Sequence, residues 1–142
     1  MASNSRFSIA VHVLTMLAQK GCDGRVKSDH IAQSVNTNPV VIRRLFCSLQ
    51  EANLVVSQVG ASGGTCLARP AENILLSEIY QAVSHGDIFS PHPNTPNQDC
   101  PVGRNIEAIL CGLQKEIDKS IEEKLAQYTL KDVIGMVEQE KI

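Results

Sequence analysis

A mainly α fold with one small β-hairpin is what this sequence predicts. Three observations carry that expectation. Apolar residues recur at helical spacing in six separate stretches, which a strand-rich chain would not show. Only one region, 54–68, is rich in β-formers, and Gly60-Ala61-Ser62-Gly63-Gly64 divides it in two. With no Trp, two Tyr and three Phe, the core has to be built from aliphatic side chains.

The elements follow in order. Ile9, Val13, Met16 and Leu17 predict a helix over 5–20, ended by Gly21-Cys22-Asp23-Gly24. Ser28 is a candidate cap for a short helix over 29–36, with Ile31, Ala32 and Val35 on one face. Asn36-Thr37-Asn38-Pro39 reads as a turn in which Asn38 caps the next helix and Pro39 takes its first position, where no backbone N–H is missed. That third helix reaches about Asn53, with Ile42, Leu45, Phe46 and Leu49 inward and Val40, Arg43, Arg44, Cys47 and Ser48 outward. Residues 54–59 and 65–68 then form a hairpin with a glycine-rich tip, closed by Pro70.

A fourth helix is expected over 75–84, with Leu75, Leu76, Ile79 and Val83 inward. Four prolines within 85–101 exclude a regular element there and predict a long loop. Residues 102–127 carry the longest stripe: Ile106, Ile109, Leu110, Leu113, Ile117, Ile121 and Leu125. A helix of that length spans about 39 Å, more than a compact domain of this size needs, so the stripe reads as a surface for a partner helix. Thr129 and Asp132 resemble a capping box for a last helix over 130–139. The expected organisation is residues 1–84 as one unit, 85–101 as a loop, and 102–142 as a dimerisation helix with a C-terminal helix.

Composition and charge narrow the function. A chain of 142 residues fits one domain with an appendage, and 43% hydrophobic residues are too many for a disordered one. No apolar run is long enough to span a bilayer, and the first residues lack a signal-peptide layout, so a cytoplasmic protein is expected. The net charge of −2 conceals a split: residues 1–70 hold seven Lys/Arg against three Asp/Glu, whereas 71–142 hold six against twelve. A basic half of that kind suits a polyanion. The five cysteines are widely spaced, with no C-x-x-C, which argues against a disulfide framework or zinc ribbon. His85, Asp87, His92 and Cys100 are metal-ligand types, but their spacing matches no compact site, so no metal is expected. No nucleophile–base pair, phosphate loop or paired carboxylates point to an enzyme.

Helix–helix–turn–helix followed by a hairpin is the order of a winged helix-turn-helix, in which the third helix fits the major groove and the wing touches the DNA beside it. Arg43 and Arg44 would then face the duplex, since arginine both reads guanine edges and pairs with phosphate. Cys100, just before Pro101 at the start of the long helix, would sit at the positive end of the helix dipole. That setting favours a reactive thiolate, against the opposing charge of Asp99. Cys66 and Cys111 read as packing residues, Cys47 and Cys22 as exposed filler, and His12 as a hydrogen-bonded structural residue.

Several stretches match a known family in order and spacing: residues 4–12 (NSRFSIAVH), 31–36 (IAQSVN), 39–45 (PVVIRRL), Gly60-x-x-Gly63-Gly64 with 67–70 (LARP), 75–83, and 100–103 (CPVG). The chain thereby resembles the Rrf-two (Rrf2) family of bacterial winged helix-turn-helix transcription regulators, the IscR-, NsrR- and CymR-like group. The resemblance implies a homodimer joined through the long helix by Ile106, Ile109, Leu110, Leu113, Ile117 and Ile121, bound to a partly palindromic site on double-stranded DNA. The candidate DNA contacts are Arg6, Ser28, Thr37, Asn38, Pro39, Val40, Arg43, Arg44, Gln58, Ser62, Gly63 and Gly64.

Two departures from the family pattern shape the expectation. Val59 stands where many members carry a basic wing residue. Iron–sulfur members place three cysteines in the loop and adjoining helix start, whereas this loop holds only Cys100. The expected protein is therefore a repressor without an iron–sulfur cluster or other cofactor, with Cys100 as a thiol switch and room for a small-molecule or protein partner. The alternative is a winged-helix interaction module that no longer binds DNA.

Overall fold

A computed structural model of the chain describes residues 5–20, 26–58, 63–84 and 93–139. Its elements are α1 (Ser5–Lys20), α2 (Ser28–Val35), α3 (Pro39–Glu51), β1 (Val55–Gln58), β2 (Gly64–Leu67), a 3-10 turn (Ala71–Asn73), α4 (Leu76–Val83), α5 (Pro101–Leu125) and α6 (Leu130–Gln139). The mainly α fold with a hairpin and a long helix is the one the sequence predicts.

Each local signal has a visible outcome. The Asn38 side chain accepts a 2.8 Å hydrogen bond from the Val40 N–H and so caps α3, with Pro39 at its first position. Asn36 closes α2 in the left-handed conformation (φ 63°), which asparagine tolerates better than most residues. Thr129 and Asp132 exchange backbone-to-side-chain bonds of 2.8 and 3.2 Å, the capping box expected for α6.

Ser28 corrects the sequence reading. It is the first residue of α2 rather than its cap; Lys27 holds the cap position, its carbonyl accepting from His30 and Ile31, and no side chain bonds the orphan N–H groups. His12 Nε2 lies 3.2 Å from Ser34 Oγ and ties α1 to α2.

The hairpin is antiparallel, with Val55 opposite Leu67 and Gln58 opposite Gly64. Val26 joins the outer edge of β2 by exchanging two backbone bonds with Thr65, at 3.0 and 3.1 Å. The tip, residues 59–62, lies outside the described residues, and with it Val59 and Ser62.

One aliphatic core binds these parts. Val13, Leu14 and Leu17 of α1 meet Ile31, Ile42, Leu49, Leu54, Ile74, Ile79 and Val83, all essentially removed from solvent. Each such side chain is worth about 1.5–3 kcal/mol of burial. The chain after α5 returns to this core. Leu76 N–H donates to the Tyr128 carbonyl at 3.0 Å and Leu130 N–H to that of Ile74 at 2.8 Å, which seats Leu130 at 0% exposure.

Glu78 anchors the start of α4. Its carboxylate accepts from the Leu75 N–H (3.0 Å) and from Arg69 (2.6 Å). Burial pushes this carboxyl up, but those two donors and the Arg69 charge outweigh it and hold the group below its ordinary value.

Helix α5 meets this core at its last residue, Leu125, and is otherwise peripheral to it. Its 25 residues include none that is fully buried. It leans on α4, where the Tyr80 hydroxyl donates to Asp118 at 2.6 Å and Tyr80 meets Phe7 edge to face. Burial, reinforced by that carboxylate, raises the Tyr80 hydroxyl above its ordinary value. Residues 93–100 form no helix or strand, in keeping with the expected loop; residues 85–92, with His85, Asp87 and His92, lie outside the described residues.

Candidate nucleic-acid interface

The Asn38 cap and the inward Ile42, Leu45, Phe46 and Leu49 fix the rotation of α3 about its axis. Its other face is therefore open: Val40 is 44% exposed, and Arg43, Arg44 and Cys47 face solvent. Ser48, expected on that outer face, is half-buried because the Arg6 guanidinium donates to its Oγ at 3.3 Å.

A groove of about 480 Å³ runs between α3 and the wing. Ser28, Arg43, Gln58, Gly63 and Gly64, all candidates from the sequence, line it together. Thr37, Asn38 and Pro39 sit at the N-terminal end of α3, where Val40 N–H is taken by the Asn38 side chain and Val41 and Ile42 N–H by its carbonyl, so what this end offers a phosphate is the positive pole of the helix dipole. Arg6 and Arg44 lie elsewhere, on a smaller cavity between α1 and α3.

Several groove residues, Lys27 and Asp29 among them, escaped the sequence reading. Lys27 lines it next to Ser28, and a lysine one residue before a helix start was the available signal. Asp29 lies 3.9 Å from Arg43, with the two side chains 77% and 61% exposed respectively. An ion pair that open contributes about 0–1 kcal/mol, so it leaves Arg43 free to exchange Asp29 for another partner.

The thiol lies at the start of α5, outside the groove lining. Cys100 is the N-cap residue of α5, fully exposed, with Pro101 as the first helical residue. The Gly103 N–H and then the Val102 N–H lower its thiol below the ordinary value, with only slight opposition from burial; the sulfur makes no fixed capping bond. The approach is tight: a Cβ on Gly103 would meet the Asn97 carbonyl oxygen at 2.4 Å. Cys66 is buried in the hairpin, as expected. Cys111, expected to pack, is exposed, because no element among the described residues covers that part of α5. Cys22 lies outside the described residues.

Along α5, Ile109, Leu110, Leu113 and Ile117 are exposed, at 56, 36, 47 and 39%, and Ile106 and Ile121 half-buried. Single apolar residues at a surface need no explanation, but a stripe this regular does.

A family model described as "Rrf2: Iron-dependent Transcriptional regulator" matches residues 3–136. The chain belongs to the Rrf2 family. Among its relatives, YwnA of Bacillus subtilis, a provisionally assigned HTH-type transcriptional regulator, is 39% identical over 133 residues, 93% of this chain and 96% of YwnA. The HTH-type transcriptional regulator IscR of Cereibacter sphaeroides is 27% identical over 94% of this chain and 86% of its own length. Of solved structures, T. potens IscR superposes with a TM-score of 0.69 at 25% identity, over 97% of this chain and 89% of that one. CymR, the global cysteine regulator of B. subtilis, gives 0.65 at 25% identity over 93% and 95%. As an Rrf2 member the protein is a DNA-binding transcription regulator rather than an enzyme.

The family description names iron, which needs a cluster of donor side chains. Among the described residues, no three His, Cys, Asp or Glu side chains gather closely enough to hold a metal ion. Cys100 and Cys111 are separated by about 16 Å of helix rise, while Cys47 and Cys66 lie on α3 and the wing. These donors do not fit an iron site. Also among the described residues, no helix is long and apolar enough to cross a membrane.

Proposed function

We propose that this Rrf2 regulator is a homodimeric repressor that binds a partly palindromic operator through α3 and the wing, works without an iron–sulfur cluster, and is released or retuned by oxidation of Cys100. The observation that carries the DNA contact is the groove in which Ser28, Arg43, Gln58 and Gly64 converge beside an α3 whose outer face is exposed among the described residues. The exposed stripe of α5 supports the dimer, because two copies related by a twofold axis would bury it and present two α3 helices to one duplex.

Arg43 is assigned to base edges in the groove, where a bidentate contact is worth about 1–3 kcal/mol. Arg43→Ala is expected to cost about that much, or roughly tenfold to a hundredfold, on a duplex from the chain's own promoter region, and much less on random DNA. Equal losses on both duplexes would make it a phosphate contact. Binding indifferent to salt and to this substitution would favour the protein-docking alternative.

The thiol switch needs an oxidant of the hydroperoxide class. The Cys100 thiolate attacks the distal peroxide oxygen, the O–O bond breaks, an alkoxide or hydroxide leaves and takes up a proton, and sulfur ends as sulfenic acid, two electrons oxidised. A lowered thiol pKa places more thiolate at neutral pH. Alkylation of Cys100 followed against pH is therefore expected to show its midpoint below the free-thiol value of about 8.5. Peroxide is expected to change operator affinity in the native protein and not in Cys100→Ser. A midpoint at or above the free-thiol value, or equal peroxide responses, sinks the switch.

A further inference from the structure

Two arginines on the α1 side of the recognition helix are not accounted for by the groove or by the thiol. Arg6, in the first turn of α1, donates from Nη2 to Ser48, yet its Nε–H is buried with no hydrogen-bond partner among the described residues. Arg44 lies one helical turn before Ser48 on α3 and is exposed. The ion pairs among the described residues are Arg43–Asp29 and Arg69–Glu78, so neither Arg6 nor Arg44 has a carboxylate there. The two arginines share a cavity of about 270 Å³ walled by Ile9, Val41 and Leu45, which offer no side-chain acceptor.

A buried N–H on a charged group is rarely left unpaired in a native protein. The guanidinium fork matches the oxygens of a tetrahedral oxyanion, and two forks over an apolar floor suit one such anion. A step of one residue turns a helix by about 100°, so Arg44 points to the α1 side while Arg43 lines the groove toward the wing.

We propose that Arg6 and Arg44 hold one phosphate-class oxyanion between them, and that in the complex it is a backbone phosphodiester beside the groove that α3 enters. This assignment rests on the DNA-binding reading above and divides the labour of adjacent arginines: Arg43 discriminates sequence, whereas Arg44, with Arg6, sets the register of the helix on the duplex. It also gives Arg6, which does not line the groove, a direct part in recognition.

Fluorescence anisotropy of the full chain tests it, on a random-sequence duplex and on one from its own promoter region, between about 50 and 200 mM salt. One neutralised phosphate adds about a threefold loss of affinity over that range. Arg44→Gln, at an exposed residue whose change spares the fold, is expected to lessen the salt-induced loss by up to that factor on both duplexes alike. Adding Arg6→Gln is expected to remove no more than the same single phosphate's share.

An unchanged salt dependence overturns the site, and so does a double variant that loses two phosphates' share, about tenfold. A thermal shift with inorganic phosphate separates the sources. If phosphate stabilises the wild type but not Arg44→Gln, while salt dependence on DNA is the same for both, the site takes a free anion and the phosphodiester assignment fails. Absence of any salt-dependent DNA binding by the wild type overturns the DNA reading itself, and this assignment with it.

Discussion

Replacing Leu113 and Ile117 together by Asp is expected to turn a dimer into a folded monomer. Both side chains are substantially exposed in the single chain, at 47 and 39%, so the charges cost the monomer fold little. In a paired α5 they would be buried, and each lost aliphatic contact is worth about 1.5–3 kcal/mol before the cost of desolvating a carboxylate is counted. Four substituted positions at a twofold interface together weaken association by at least about 10⁴-fold, taking 1.4 kcal/mol as tenfold. Sedimentation equilibrium reads the mass, and circular dichroism checks that helix content survives. Operator affinity is expected to fall by about 10²–10⁴, because two half-sites no longer belong to one tethered pair. A double variant that still sediments as a dimer, or a wild type that is monomeric, removes the proposed role of α5.

Local chemistry was legible in the sequence where a signal was complete within a few residues. Asn38-Pro39 announced the start of α3, Thr129 with Asp132 that of α6, and the 3.6-residue spacing of Ile42, Leu45, Phe46 and Leu49 told which face of α3 turns inward. Signals with two physical outcomes were not decided by spacing. A serine before a short helix can cap it or begin it, and the carbonyl of Lys27 settled that for Ser28. Cys111 sits beside apolar neighbours on a periodic helix, but whether such a face is covered depends on what packs there.

Contacts between distant residues left no trace in spacing at all. Asp29 meets Arg43, Arg6 reaches Ser48 across 42 positions, and Tyr80 finds Asp118 across 38. These are properties of tertiary packing, and the candidate site depends on them. Ser28, Arg43, Gln58, Gly63 and Gly64 meet in the groove because α3 and the wing are neighbours in sequence, whereas Arg44 is turned away from it by the rotation of α3 and Arg6 lies on α1.

Leu130→Ala is expected to be the most damaging single truncation in the C-terminal third of the chain. The organisation expected from sequence puts residues 130–139 in one unit with the long helix, but the backbone pairing of Leu75 with Thr129 draws the start of α6 against the segment before α4. Leu130, at 0% exposure, is thereby part of the same core as Leu14, Leu17 and Ile74. Truncating a fully buried leucine costs about 2–5 kcal/mol, depending on how far the surroundings collapse into the space. Against a total stability of about 5–15 kcal/mol for a domain, that is a large fraction. Urea unfolding at fixed protein concentration measures it, the fixed concentration being needed because dimerisation adds to apparent stability.

Met136, on the same helix but 50% exposed, supplies the control: Met136→Ala is expected to stay within about 0.5 kcal/mol. A midpoint unchanged by Leu130→Ala would mean that α6 is not docked in solution. A loss shared by the wing and α1 alike, followed by separate probes on each, would mean that α6 and the DNA-contacting half unfold as one unit. Because α6 follows α5 after four residues, Leu130 would then be a further tie between α5 and the core, beside the Tyr80–Asp118 bond to α4.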